Sequence, residues 1–262
     1  MGTKFRAFAA RIYWQIRCSG GTYRCAVCGV SVNSSRNIGQ WYSSQRERYA
    51  FDHDVSDFET LNAEVYSCPR CQAPHRDRLC ALSLDPRLAE IPVGERISFV
   101  DFVPTAPVSA FLKRHSHVDY RSADLYMPGV DDRVDLCDLE IYGDELFDPL
   151  MFSRVLKDVA NDRRAMGELV RILAPGGWAV LLVPISQRLQ PTREASADTV
   201  EERWLLYGQN DHMRLHSKSD FVTRLRDAGF TNSKFGAAEF GVGKFALCGI
   251  TPSSVLYVGT KQ

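Results

Sequence analysis

The chain has 262 residues, 45% of them hydrophobic and 24% charged, a composition that suits one or two folded domains with ordinary cores. Lys+Arg and Asp+Glu both number 32, and this zero formal charge argues against a protein whose main business is gripping a phosphate backbone. No apolar run approaches the ~20 residues that span a bilayer, and the opening MGTKFRAFAARIYWQIR lacks the uninterrupted apolar core of an export signal, so a cytoplasmic protein is expected.

In chain order, residues 4–17 set Phe5, Phe8, Ala9, Ile12, Tyr13 and Ile16 at helical spacing, with Arg6, Arg11 and Arg17 on other faces. This predicts an N-terminal helix (1–20) that docks on the main body. Residues 18–78 are rich in Cys, Ser, Gly and Tyr and weak in periodicity, and such a segment needs a staple. From Glu95 the pattern changes. Ile97–Val103 and Val118–Ser122 read as buried strands, Pro107–His115 as a short helix, and Asp132–Leu136 as a weak strand. Leu146–Ser153 is a further strand, although Pro149 interrupts it. Asp158–Leu173 is an amphipathic helix that stops at Ala174-Pro175-Gly176-Gly177, before the strong strand Trp178–Ile185. Residues 186–202 are polar and loop-like, Ser219–Ala228 is a helix ending at Gly229, and Phe230–Phe235 and Ser254–Val258 are closing strands. Alternating strands and helices predict an α/β fold with a parallel sheet covered on both faces over 91–262, preceded by a small module over 21–90.

That module owes its definition to cysteine spacing. Cys25-x-x-Cys28 and Cys68-x-x-Cys71 are two knuckles set apart by a long intervening segment, 29–67. Each CxxC turn aims two thiolates at one ion, and two turns complete the tetrahedron that Zn²⁺ prefers. Four thiolates leave no open position, so the expected zinc is structural. Cys18, Cys80, Cys137 and Cys248 stand singly and read as ordinary thiols.

In an open α/β sheet, ligands bind beyond the carboxyl ends of the strands where strand order reverses. The rule singles out Asp101, Phe102, Val103 and Pro104 after the first strand, Asp124 and Leu125 after the second, Asp135 and Leu136 after the third, and Ser153 and Arg154 after the fourth. Asp124 is placed to accept both ribose hydroxyls of an adenosine cofactor, and Asp135 or Asp138 to accept from the adenine amino group. Each lone aspartate also reads as a loop residue or helix cap.

The strings CPRCQAPHRDR (68–78), DYRSADL (119–125), FDPLMFSRVLKDVANDRRAMGELVRILAPGGWAVLLVPI (147–185) and YGQNDHMRLHSKSDFVTRLRDAGF (207–230) carry a resemblance. From about Cys25 to Val258 the chain resembles bacterial Rossmann-like methyltransferases, related to the methyltransferase type 11 group, that carry an N-terminal zinc ribbon. The resemblance implies methyl transfer from S-adenosylmethionine to a small molecule or a glycan. Two departures stand out. The loop after the first strand is Asp101-Phe102-Val103-Pro104-Thr105, without the usual glycine, and the usual HVLEHV after the fourth strand is Arg154-Val-Leu-Lys157-Asp158-Val.

Methyl transfer to a hydroxyl needs an oriented acceptor and a group to take its proton. His212, beside Asp211 in GQNDHMR, is the expected base, with a structural histidine as the competing reading. Arg154, Arg188, Gln209 and Arg214 are the expected acceptor-binding residues, and residues 186–203, with Arg193, the expected lid. Three readings remain at this point: an O-methylating enzyme on a small molecule or saccharide, a methyltransferase fold kept as a binding scaffold, and an RNA methyltransferase, which the neutral charge disfavours. Assembly as a homodimer stays open.

Overall fold

The computed structural model describes residues 19–153 and 155–262, so the helix expected over 4–17, Cys18 and Arg154 lie outside the described residues. The described chain opens with an antiparallel pair, β1 (Ser19–Arg24) and β2 (Ser31–Val32), around the first cysteine knuckle. Two helices follow, α1 (Gly39–Arg48) and α2 (His75–Ala89), in a stretch whose sequence shows little periodicity. The α/β part then runs β3 (Ile97–Phe102), α3 (Ala106–Leu112), β4 (Val118–Ala123), β5 (Phe147–Ser153), α4 (Asp162–Ile172), β6 (Leu173–Leu182), β7 (Ile185–Ser186), α5 (Val200–Tyr207), β8 (His216–Ser217), α6 (Lys218–Asp227), β9 (Phe230–Phe235), α7 (Ala237–Phe240), α8 (Val242–Leu247) and β10 (Leu256–Lys261). Among the described residues no helix is long and apolar enough to cross a membrane.

The main sheet has six strands in the order β4-β3-β5-β6-β10-β9. β4, β3, β5 and β6 are parallel, and β10 runs antiparallel to both β6 and β9. Side-chain alternation builds a core on each face. Ala179 and Leu181 of β6 pack with Met166 and Leu169 of α4 and Phe221 and Leu225 of α6, while Val180 and Leu182 pack with Leu84 and Leu88 of α2, Val108 and Leu112 of α3 and Phe245 of α8. Cys25, Val27 and Cys68 belong to the second of these cores. A boundary near residue 90 therefore falls at the end of a helix whose apolar face is continuous with the sheet.

Local chemistry sets the ends of these elements. Asn161 and Ser217 accept from the Arg164 and Asp220 amides to cap α4 and α6, and Thr199 with Glu202 forms a capping box on α5 inside the expected loop. Pro149 stays within β5 because the pairing with β6 shifts register between Phe147 and Pro149. At that shift the backbones approach so closely that a Cβ on Gly177 would sit 2.6 Å from the Asp148 carbonyl oxygen. The pairing of Leu173 with Phe147 also starts β6 directly after α4, ahead of the expected turn. The weak strand expected at 132–136 forms only a single bridge to the sheet, Ala123 to Asp132. Its carboxylates bond sideways, Asp132 to Arg121 at 2.7 and 2.8 Å and Asp131 to Ser122 at 2.6 Å.

Arg78 of α2 ties the two parts together. It is 2% exposed, and its guanidinium donates to the carbonyls of Cys248 (2.7 Å), Tyr66 (3.2 Å), Ala73 (3.0 Å), Val65 (2.6 Å) and Gly249 (3.1 Å). Burial works against the charge, and the carbonyl dipoles offset that cost. Replacing Arg78 by Met leaves the Val65 and Cys248 carbonyls without this donor, at about 1–3 kcal/mol for each buried group. Denaturant unfolding of Arg78→Met is expected to show a loss of about 3 kcal/mol or more. Arg78→Lys should rescue little, because an ammonium cannot match the spread of a guanidinium fork. A change within about 0.5 kcal/mol, the size of an ordinary surface effect, would contradict the role.

Candidate active site and metal centre

The two knuckles are copies of one turn. Gly29 N–H donates to the Cys25 carbonyl at 2.8 Å and Cys25 N–H to Val30 at 3.0 Å; Gln72 N–H donates to Cys68 at 2.8 Å and Cys68 N–H to Ala73 at 2.9 Å. The residue after each second cysteine is left-handed, with φ of 72° at Gly29 and 67° at Gln72. Cys25 and Cys71 Sγ lie 3.6 Å apart, Cys28 and Cys68 Sγ 3.9 Å apart, and all four sulfurs lie within 4.8 Å of one another. Disulfides need ~2.05 Å, whereas Zn–S bonds of ~2.3 Å set tetrahedral edges of about 3.8 Å. The donor set fits a closed zinc site, with Cys25, Cys28, Cys68 and Cys71 as the residues that would hold the ion.

A cavity of about 460 Å³ opens at the carboxyl ends of β3, β5 and β6. β4 lies on one side of β3 and β5 on the other, so this is the point of strand-order reversal. The strand ends contribute Val103, Lys157, Asp158 and Pro184, and α5 with its following loop contributes Tyr207, Gln209, Asp211 and His212. The segment between the knuckles supplies Ile38, Trp41, Tyr42, Phe58, Thr60, Leu61 and Tyr66, and α2 adds Arg76. The absent glycine is replaced without losing its turn. Val103 adopts φ 57°, and its N–H donates to Ala123 at 2.9 Å. A β-branched residue in this region is strained by about 1–3 kcal/mol.

His212 is 7% exposed and lines the cavity, and its Nδ1 has no hydrogen-bond partner among the described residues. Burial above all, and then the charge of Lys157, hold its pKa well below the usual value, so the imidazole is neutral. Its Nε2 lies 3.9 Å from Asp211 Oδ1. Lys157, also 7% exposed, donates to Asp158 Oδ1 at 2.6 Å. Burial lowers its pKa, with Asp158 opposing. The Met213 amide donates to the Lys157 carbonyl at 2.8 Å and joins the two loops. Ligand atoms of Asp158, Asp211 and His212 come within 4.8 Å of one another, but the Lys157 ammonium already neutralises Asp158, so the group is a polar cluster and not a second metal centre.

The expected site residues separate into three groups. Val103, Gln209, Asp211 and His212 share the cavity. Asp101, Asp124, Asp135 and Ser153 lie along the carboxyl edge beside it. Asp101 accepts from the Tyr120 hydroxyl at 3.0 Å, Asp135 accepts from the Cys137 amide at 2.8 Å, and Ser153 Oγ is buried with no partner among the described residues. Asp124 Oδ1 accepts from the Tyr126 and Met127 amides at 2.6 Å each, and Leu125 beside it is exposed. Phe102 and Leu136 turn into the core, and Pro104 is half-buried in the loop. Arg188 and Arg214 are engaged within the protein. Arg188 bonds the Asp52 carbonyl (2.6 Å) and Asp57 (3.1 Å); Arg214 bonds Glu194 and the Leu156, Val159 and Ala160 carbonyls. With Arg193 on Asp52 and Glu194 on Arg224, the expected lid is pinned down.

Lys157, Asp158, Arg76 and the aromatic wall had no place among the expected site residues. The altered HVLEHV segment flagged the first two, and nothing in the pattern between the knuckles marked the wall. Asp52, His53 and Ser186 also form a hydrogen-bonded chain (2.7 and 2.8 Å) like that of a serine hydrolase. Ser186 is 1% exposed and accepts from the Arg188 and Leu189 amides, so this chain ties two loops together and presents no nucleophile.

No family model matches the chain, and no curated protein matches it. Solved structures similar to it in fold include a chain of the complex between the Haloferax volcanii Trm112 methyltransferase activator and a methyltransferase (17% identity, 71% of this chain and 93% of that one, TM-score 0.44). An S-adenosylmethionine-dependent methyltransferase from Mesorhizobium loti aligns at 16% identity over 67% of this chain and 96% of its own, TM-score 0.43. The CurJ carbon methyltransferase aligns at 12% identity over 85% of this chain, TM-score 0.48, and only 58% of its own length is spanned. The strand order and the helices on both faces of the sheet are Rossmann-like.

Three buried histidines give the protein an acid limit. Burial pushes His75 and His216 down to about 3 and His212 well below its usual value. All three are neutral in the folded chain, whereas the unfolded chain protonates them below about pH 6.5. The unfolded state thus binds more protons between about pH 6.5 and 3, and stability is lost as pH falls through that window. Each histidine contributes up to about 1.4 kcal/mol per pH unit. Denaturant unfolding is expected to show a drop of several kcal/mol between about pH 6.5 and 5; a flat profile would contradict these burials.

Proposed function

We propose that the chain is an S-adenosylmethionine-dependent methyltransferase that methylates a hydroxyl of a small molecule, with a structural zinc in its cysteine module. The observation that carries the reading is a neutral, buried His212 whose Nδ1 is unpartnered among the described residues and which lines a cavity at the strand-order reversal. The fold and the motif resemblance support it. Bound at this edge, S-adenosylmethionine would supply an activated methyl group for in-line displacement.

The residues fit that cofactor in three places. The left-handed turn at Val103 keeps the backbone conformation that a glycine usually provides. Asp124, whose amide bonds fall on one oxygen, would hold the ribose with the other, and Ser153 Oγ would find a partner at the end of β5. Asp135 is the proposed acceptor for the adenine amino group. His212 takes the acceptor proton, Asp211 orients the imidazole, and Gln209 binds polar groups of the acceptor. One observation favours a second reading, a fold kept for binding: Val103 lines the cavity with an isopropyl group where glycine would leave room.

Calorimetry with S-adenosylmethionine and S-adenosylhomocysteine separates the two readings. Micromolar binding is expected, about tenfold weaker in Asp124→Ala through the lost ribose bonds. His212→Ala should keep S-adenosylhomocysteine affinity while turnover on an accepted substrate falls about 10²–10⁴-fold. Absence of binding by either ligand at high micromolar concentration would overturn the enzyme reading and leave the binding one.

A further inference from the structure

The cavity has two chemically different ends. At one end the polar atoms of Asp158, Asp211 and His212 lie within 4.8 Å of one another, beside the Lys157 ammonium. The other wall comes from the segment between the knuckles and is dominated by aromatic side chains. Trp41 lines it yet is 65% exposed. It is not loose, because Trp41, Tyr42 and Tyr49 all pack on the buried ring of Trp204, at 6.1, 6.1 and 5.5 Å between centroids. An anchored tryptophan exposed at an opening is a preformed stacking platform.

Deepening the methyltransferase reading, on which it rests, we propose that the cavity receives a planar phenolic acceptor, its ring against Trp41 and Tyr42 and its hydroxyl at His212. The ring faces of Trp41 and Tyr42 suit a flat aromatic acceptor, whereas a pyranoside carries hydroxyls around its whole rim. The proton chemistry agrees. An imidazole held neutral by burial and by Lys157 is a weak base. Proton transfer works best between groups of matched affinity, and a phenol, ionising at about 10 as tyrosine does, is far closer to it than an alkyl alcohol. The phenol O–H donates to His212 Nδ1 and passes its proton there, beside the paired Lys157 and Asp158 side chains. The charged and titratable groups lining the cavity are Lys157 and Asp158 after β5, Asp211 and His212 after α5, Arg76 of α2, and Tyr42, Tyr66 and Tyr207, so two cations balance two carboxylates.

The test titrates the full chain with 4-nitrophenol, whose visible absorbance reports its ionisation, with nitrobenzene and methyl β-glucopyranoside as comparison probes and S-adenosylhomocysteine binding measured in parallel. Saturable 4-nitrophenol binding is expected, about fivefold weaker in Trp41→Ala, with far-UV circular dichroism checking that the fold is kept. His212→Ala should weaken 4-nitrophenol binding through the lost hydrogen bond to its hydroxyl, nitrobenzene should bind more weakly than 4-nitrophenol, and the glucoside should not compete. If S-adenosylhomocysteine binds while 4-nitrophenol does not, or the glucoside competes, the phenolic acceptor is overturned and methyl transfer stands. If 4-nitrophenol binds with these dependences and S-adenosylhomocysteine does not, the phenol site stands and methyl transfer falls.

Discussion

One buried guanidinium holds the cysteine module against the sheet. Arg78 belongs to the helix that follows the second knuckle, and its acceptors lie around that knuckle (Val65, Tyr66, Ala73) and on the turn before β10 (Cys248, Gly249). Cys25, Cys68, Cys71 and Cys248 lie close enough that their thiolates would favour its charge. A zinc ion on four thiolates would carry a net negative charge, so the guanidinium and a filled metal centre would stabilise each other where module and sheet meet. The module is consequently part of the second core and not a separate bead on the chain.

Pinning both knuckles gives the long segment between them a purpose. It returns across the carboxyl edge of the sheet and walls the cavity. Further ties fix its path: Glu59 accepts from Lys218 and from the Tyr257 hydroxyl, His53 bonds Ser186, and the Thr60 hydroxyl donates to the Val255 carbonyl at 3.1 Å. The strand ends, α2 and the loop after α5 supply the charged groups of the cavity, and the clamped segment supplies most of its aromatic ones. The same division appears in the charges. Burial, and after it Lys157, suppresses protonation of His212, and this leaves a cation and a neutral proton acceptor in one cavity.

The sheet half was legible because its strands and helices keep clean periods and end at strong punctuation. The expected elements at 97–103, 118–122 and 219–228 lie within a residue or so of β3, β4 and α6. The module half was legible only through its cysteines. α1 has almost no apolar stripe of its own, and its aromatic side chains gain their order from a distant partner, Trp204. No local pattern could announce that contact. The strand expected at 132–136 is reduced to a short run of backbone bonds between 132–134 and 122–124, flanked by side-chain bonds of Asp131 and Asp132. At the site, His212 stood out through its neighbours in GQNDHMR, whereas Lys157 showed only as a departure from a pattern. Arg214 drew notice as a charged residue near the cavity, yet its donors go to three carbonyls and Glu194. Sequence places a charge on a loop; it does not reveal where that charge finds its partners.

The central claim is that the metal-clamped segment forms the cavity wall on a sheet that stands without it. Amide hydrogen exchange on the full chain, before and after metal removal by a chelator, tests this most directly. Loss of metal should strip protection from the knuckles and from residues 36–66, while β3, β6 and β10 stay protected. Unchanged exchange across 36–66 after complete metal removal would contradict the account.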